Sequence, residues 1–313
     1  MTHKPDLPLS RRTLLAASAA ACLAAPAVAE DGFADMPYID AHSHVWPPEV
    51  DKFPLAKGQT KADLKPPSFT DVELLKLANA EKVGRAVLIQ HHTYHGWDNS
   101  YLIDCAKRNP GKFVVVGMVD DAAPHPDAKM RELLSQRVRS FRITPWIHKD
   151  KWLDSPGMAL MWKTAAETGQ SMGCLIDAKD LPAVDAMCAK HPQTFVVIDH
   201  FARIGVDGMI RDSDVTALCK LARHKRTHVK LSAYYALGKK KPPYDDLAPM
   251  IRKVLDAFGQ DRCMWASDSP YQVQGEHTYA ASIALIRDRL DFLSAGDKDW
   301  LLRKTAEKVY FTA

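Results

Sequence analysis

The stretch YIDAHSHVW (38–46) decides the reading of this chain. Tyr38 and Ile39 begin an apolar run, and Asp40, His42 and His44 then recur at every second position. Side chains alternate along a strand, so His42 and His44 share one face, with Asp40 in phase. Two imidazoles on one face of a strand end can hold one metal ion or meet one substrate oxygen. The stretch therefore reads as a buried strand that carries chemistry where it leaves the core.

Seven further runs have the same character: RAVLIQH (85–91), FVVVGMVD (113–120), VRSFRIT (138–144), SMGCLID (171–177), TFVVIDHF (194–201), HVKLSAYY (228–235) and CMWASDSP (263–270). Near-continuous apolar runs rich in β-branched residues suit a parallel sheet buried on both faces. Helix-period segments lie between most of them. TDVELLKLANAEKVG (70–84) begins at a Thr70-Asp71 cap, and GMALMWKTAAETG (157–169) and YDDLAPMIRKVLDAFG (244–259) close on glycine. The runs start about 32 residues apart, the size of a βαβ unit. Eight such units predict an α/β fold, a (β/α)8 TIM barrel, for which ~250 residues are typical. A doubly wound open sheet would show a Gly-rich turn after its first strand, and none follows His44. The first interval is the longest. Its extra length, PPEVDKFPLAKGQTKADLKPP (47–67), has no period and reads as a loop over the active face, placed to act as a lid.

Composition excludes several classes. Of 313 residues, 46% are hydrophobic and 26% charged, with a formal net charge of +4. A disordered chain would be poorer in apolar residues. A nucleic-acid binder would show a basic block, and the Lys239-Lys240-Lys241 run reads as solvated loop charge. Residues 1–29 are set apart. Arg11 and Arg12 in SRRTLLA precede an Ala-rich apolar run and Ala27-Val28-Ala29, the form of a twin-arginine export signal. The expectation is a single domain over 30–313 in the periplasm, with no membrane attachment once the signal is removed. Cys105, Cys174, Cys188, Cys219 and Cys263 would remain, an odd number without a C-x-x-C pair, so no disulfide framework is expected.

In a barrel, function belongs at the C-terminal ends of the strands. Besides His42 and His44, these ends carry Asp199-His200, with Arg203 three residues on, and Asp268. Asp268 is placed as a general base toward water. Arg142 is a charge inside a β-run, costly unless paired. Its partner is a substrate carboxylate or a buried aspartate, and its fork suits the former. HHTYH (91–95) reads as a loop in which His91 touches substrate and no metal is held.

These motifs, in this order, resemble the amidohydrolase superfamily. The match is to its amidohydrolase-2 branch, in the lactonase-like group with 2-pyrone-4,6-dicarboxylate lactonase and sugar lactonases. The resemblance runs from 37 to 313 and includes AEKVYF (306–311). It implies that His42, His44, His200 and Asp268 form the catalytic set, and that Arg142 and Arg203 bind substrate. It adds Asn99, in the helix after the second strand. Such groups activate water for attack on a carbonyl, with or without a divalent metal. The chain departs from the family in four places. Arg142-Ile143-Thr144 stands where a metal-bridging Lys or Glu would be, and Cys174 to Asp177 where a fifth-strand His would be. Tyr235 stands where relatives often carry Arg, and Ala202 replaces a Gly.

The expectation is therefore one divalent ion at most, zinc, on His42, His44 and Asp268 with His200 near; a metal-free site is the alternative. The expected activity is hydrolysis of a lactone or related ester-like organic acid, a small-molecule carboxylate, with Tyr235 and His91 also at the substrate. A metal-dependent decarboxylase and a non-catalytic organic-acid-binding barrel are the competing readings. Nucleic acid is not an expected partner, and a homo-oligomer is compatible with the sequence.

Overall fold

The computed structural model describes Met1 and residues 33–312. The export signal expected over 1–29 otherwise lies outside the described residues. Eight strands form one sheet in sequence order: β1 (Tyr38–Ser43), β2 (Val83–Ile89), β3 (Phe113–Gly117), β4 (Val138–Ile143), β5 (Ser171–Cys174), β6 (Phe195–Ile198), β7 (Thr227–Leu231) and β8 (Cys263–Trp265). Every consecutive pair is parallel. Helices such as Asp71–Ala80, Pro156–Thr168 and Ala248–Phe258 pack outside. This is the expected (β/α)8 barrel. Among the described residues no helix is long and apolar enough to cross a membrane. All five described cysteines are free.

Two apolar layers hold the barrel. Inside, Ile39, Val87, Val116, Val197 and Met264 form one buried cluster with Val309 and Tyr310 from the C-terminal segment. Outside, a larger layer joins the strands to the helices, with Phe141, Trp162 and Trp265 fully buried.

The seam between β8 and β1 is closed differently from the seven ladders. Asp268 N donates to His42 O (2.8 Å), and His44 N donates to Ser269 O (2.7 Å). Asp40, fully buried, anchors the seam. Its carboxylate accepts from Ser267 N (2.9 Å), Ser267 Oγ (2.5 Å), Ser43 Oγ (2.7 Å), Tyr279 OH (2.9 Å) and His42 N (3.1 Å). The register of β1 against β2 slips between Asp40 and Ser43. Simple alternation therefore fails here, and Asp40 serves the seam instead of the face shared by the histidines.

The 47–67 loop is fastened. Trp46 Nε1 donates to Pro66 O (2.9 Å), Ala56 N donates to Tyr94 O (2.7 Å), and Phe53 and Leu64 are buried. None of its residues lines the central cavity described below, so the expected lid is a packed flank.

Asp40→Asn sets an amide N–H against donors it cannot accept from. Hydrogen bonds to a charged group contribute about 1.5–3 kcal/mol, so a loss of about 2–3 kcal/mol should appear as a lower urea midpoint. His228, in β7, gives a pH signature. Burial, then Lys308, lowers its imidazole to about 4 from 6.5. The unfolded ring takes a proton below pH 6.5 and the folded ring does not, so its stability contribution is full above 6.5. The contribution is lost as pH falls toward 4, by on the order of 3 kcal/mol. His228→Leu should flatten the acid limb of a denaturation-versus-pH curve by about that amount.

Candidate active site

The strand C-termini open into a cavity of about 570 Å³. His44, His200, Arg142, Asp268 and Tyr235 lie on its surface, with Arg203 toward the mouth. His42 is fully buried just beneath.

Backbone strain shapes this end of the barrel. His200, Phe201, Ala202 and Arg203 all have positive φ, at 52, 53, 53 and 54°. A left-handed turn of non-glycine residues costs roughly 1–2 kcal/mol per residue. One turn of that hand sets His200 and Arg203, three residues apart, on the same cavity. Ala233 after β7 and Asp268 after β8 are also left-handed, at 59 and 65°. Strain of this kind persists where surrounding packing over-determines it, and it gathers at functional sites.

The reactive atoms form a compact group. His42 Nε2 and His44 Nε2 are 3.4 Å apart. Asp268 Oδ1 lies 3.5 Å from the first and 3.4 Å from the second, and has no hydrogen-bond partner. Its Oδ2 accepts from Tyr235 OH (2.8 Å) and lies 3.8 Å from His200 Nε2. His44 Nδ1 is 2.9 Å from Ile89 O, which makes it the donor and leaves Nε2 with a lone pair. His200 Nδ1 is held by Ser232 Oγ at 2.7 Å. Burial, with Arg142 next, lowers His44 to about 3, and burial followed by Lys230 holds His42 well below the usual histidine range. Burial and the neighbouring cations thus favour the uncharged form of each ring. Burial raises the Asp268 carboxyl, against the pull of His200.

Beneath this group lies a buried charge cluster. Asp199 Oδ1 is 3.1 Å from Lys230 Nζ and 3.4 Å from His42 Nδ1, and Oδ2 is 3.3 Å from Arg142 Nη2. Burial would raise Asp199, but Lys230, His42 and Arg142 together hold it well below the carboxylate range. Arg142 Nη2 also lies 2.8 Å from His42 Nε2, and Lys230 Nζ lies 3.2 Å from His42 Nδ1.

Of the residues singled out in the sequence, His42, His44, His200, Asp268, Arg142 and Tyr235 come together. Arg142 has a buried aspartate as its partner, the other of its two expected readings. Arg203 lines the cavity, but its Nη1 bonds Asp177 (2.7 Å) and its guanidinium lies 4.7 Å over Trp146. His91 lines the cavity and bonds Tyr271 OH at 2.6 Å. Asn99 is not brought to it. Its amide donates to Met118 O (2.9 Å) and accepts from Met118 N (2.8 Å), fastening the chain beyond β3. Lys230, Tyr271, Ser232 and Trp146 were missed. Lys230 had a signal, because a charge between Val229 and Leu231 needs a buried partner just as Arg142 does. Tyr271 and Trp146 sit in single helical turns after β8 and β4 and had none.

The donor set fits one metal ion. Ligands about 2.1 Å from a tetrahedral centre stand about 3.4 Å apart. His42 Nε2, His44 Nε2 and Asp268 Oδ1 have that spacing, and Oδ1 lacks any other partner. His200 with His42 and Asp268 forms an overlapping group. A second ion finds no bridge, since β4 ends in Arg142 and Ile143 and β5 in Cys174.

The family described as amidohydrolase matches residues 39–312. An L-fucono-1,5-lactonase of Burkholderia ambifaria is 28% identical, over 74% of this chain and 80% of that protein. A 4-sulfomuconolactone hydrolase of Hydrogenophaga intermedia is 27% identical, over 74% of each. The crystal structure of an amidohydrolase from Burkholderia multivorans with bound zinc superposes with a TM-score of 0.73. It is 22% identical and covers 88% of this chain and all of that one.

Asp199→Ala should leave Lys230 and Arg142 buried without their counter-charge. Breaking such a pair costs about 3–5 kcal/mol, to be read as a shift in denaturant midpoint.

Proposed function

The chain belongs to the amidohydrolase family and is a hydrolase, and from that premise we propose that it opens the ring ester of a lactone by attack of water on the carbonyl. The observation that carries this reading is Asp268 Oδ1, a buried carboxylate oxygen without a hydrogen-bond partner at the cavity floor. The imidazoles of His42 and His44 lie 3.5 and 3.4 Å from it. The names of the two lactone-hydrolysing relatives support the same substrate class.

In the proposed reaction Asp268 takes a proton from water as it adds to the carbonyl carbon. Burial raises this carboxyl and so strengthens it as a base. Tyr235 holds Oδ2 and leaves Oδ1 facing the reacting atoms. Negative charge develops on the carbonyl oxygen. Arg142, fixed on Asp199, and His200, fixed on Ser232, stand ready to receive it without reorganisation. The tetrahedral intermediate collapses with loss of the ring oxygen, which leaves as an alcohol after accepting the proton from Asp268. The guanidinium of Arg203 at the mouth meets a carboxylate on the substrate. A divalent ion, when held by His42, His44 and Asp268, supplies Lewis-acid polarisation of the carbonyl. Zinc is our choice, supported by the zinc recorded in the Burkholderia multivorans structure. We place the protein in the periplasm on the strength of SRRTLLA and Ala27-Val28-Ala29.

A panel of sugar lactones and carboxylate-bearing lactones, read by acid release, tests the activity. Asp268→Asn should lower kcat by ~10²–10⁴-fold, the range for general-base catalysis. Near-full turnover in that variant would remove Asp268 from the role. Arg203→Met should raise KM for carboxylate-bearing lactones and leave neutral ones unchanged.

A further inference from the structure

The imidazole of His42 is met by a cation on each side. Arg142 Nη2 lies 2.8 Å from Nε2, and Lys230 Nζ lies 3.2 Å from Nδ1. Both cations are anchored on one carboxylate, at 3.3 and 3.1 Å from the two oxygens of Asp199. Arg142 is 7% exposed and Lys230 1%. Neither can turn toward solvent without leaving Asp199 buried and less than fully paired. The lone pair on Nε2 that Arg142 meets is the one a metal ion on His42, His44 and Asp268 would need. An ion there must displace the guanidinium from Nε2 and then sit within a few ångströms of two fixed positive charges.

We propose that Arg142 sets the metal affinity of this site by competing with a divalent cation for His42 Nε2, with Lys230 adding to the repulsion from behind. The native chain then holds an ion weakly and exchangeably, and the guanidinium is the resident positive group at the reacting carbonyl whether or not an ion is present. This rests on the reading that His42, His44 and Asp268 are the ligand set. It does not depend on which substrate is hydrolysed.

The test is a binding titration with no substrate. The full chain is stripped with a chelator and titrated with Co²⁺, followed by visible absorption, and with Zn²⁺ against a chromophoric chelator. Arg142→Met should bind one ion per chain at least tenfold more tightly than the native protein. Arg142→Lys, which keeps a cation, should stay within about threefold of native. The gain should vanish when Arg142→Met is combined with His44→Ala. Lys230→Met leaves the Arg142–Asp199 pair in place and should tighten binding by a smaller factor. It serves as the test if Arg142→Met does not fold. Equal or weaker binding in the folded variant, or a gain that survives His44→Ala, overturns the proposal. A chain that hydrolyses no lactone yet shows these affinities would refute the substrate reading and leave this one standing.

Discussion

Asp199 is the group on which the active end of the barrel depends. One buried carboxylate holds Lys230 from β7, Arg142 from β4 and His42 from β1. Each strand approaches from a different side, so the pairing works as a three-way spacer across the barrel interior. Buried charges are costly to desolvate and are retained only with close partners. Here the arrangement fixes the direction of the His42 ring and the reach of Arg142. The catalytic surface above it inherits that geometry.

A second polar cluster does a different job a few residues away. Asp40 gathers five donors: two from Ser267 in the segment after β8, one from Tyr279 in the helix beyond it, and two from His42 and Ser43 of its own strand. The seam it closes is also where His42, His44 and Asp268 leave the sheet. The backbone bonds of that seam run through His42 O, His44 N and Asp268 N. Fold closure and site assembly are thus one event: a barrel that failed to close would separate the histidines from the carboxylate. Left-handed residues at His200 to Arg203, Ala233 and Asp268 bend three strand ends into this space. That strain is offset by the apolar layers below, where Phe201 and Ala202 are fully buried.

The cavity combines this rigid floor with a more adaptable mouth. Arg142 is locked between Asp199 and His42, whereas Arg203 is partly exposed and shared with Asp177 and Trp146. In the proposed reaction the floor groups act on the carbonyl and the mouth groups read the rest of the molecule. Such a division lets one floor chemistry serve different substrates through loop changes alone.

The sequence by itself determined the barrel and which strand ends carry polar side chains. Parallel strands buried on both faces must be nearly all apolar, so eight such runs at βαβ spacing left little choice of fold. A polar residue at the end of such a run stands out, which is why His42, His44, His200, Asp268 and Arg142 were legible. Only the tertiary structure decided the partners. Alternation placed Asp40 with the histidines, but a register slip in β1 sent it to the seam. Asn99 looked like a substrate ligand and instead fastens Met118. Lys230 and Arg142 share Asp199 although some 30 to 90 residues separate them in the chain, and Tyr271 and Trp146 reach the cavity from short helical turns beyond the strands. Periodicity records which side of a strand is apolar. It carries no record of which distant charge lies opposite, because that is fixed only when the sheet closes on itself.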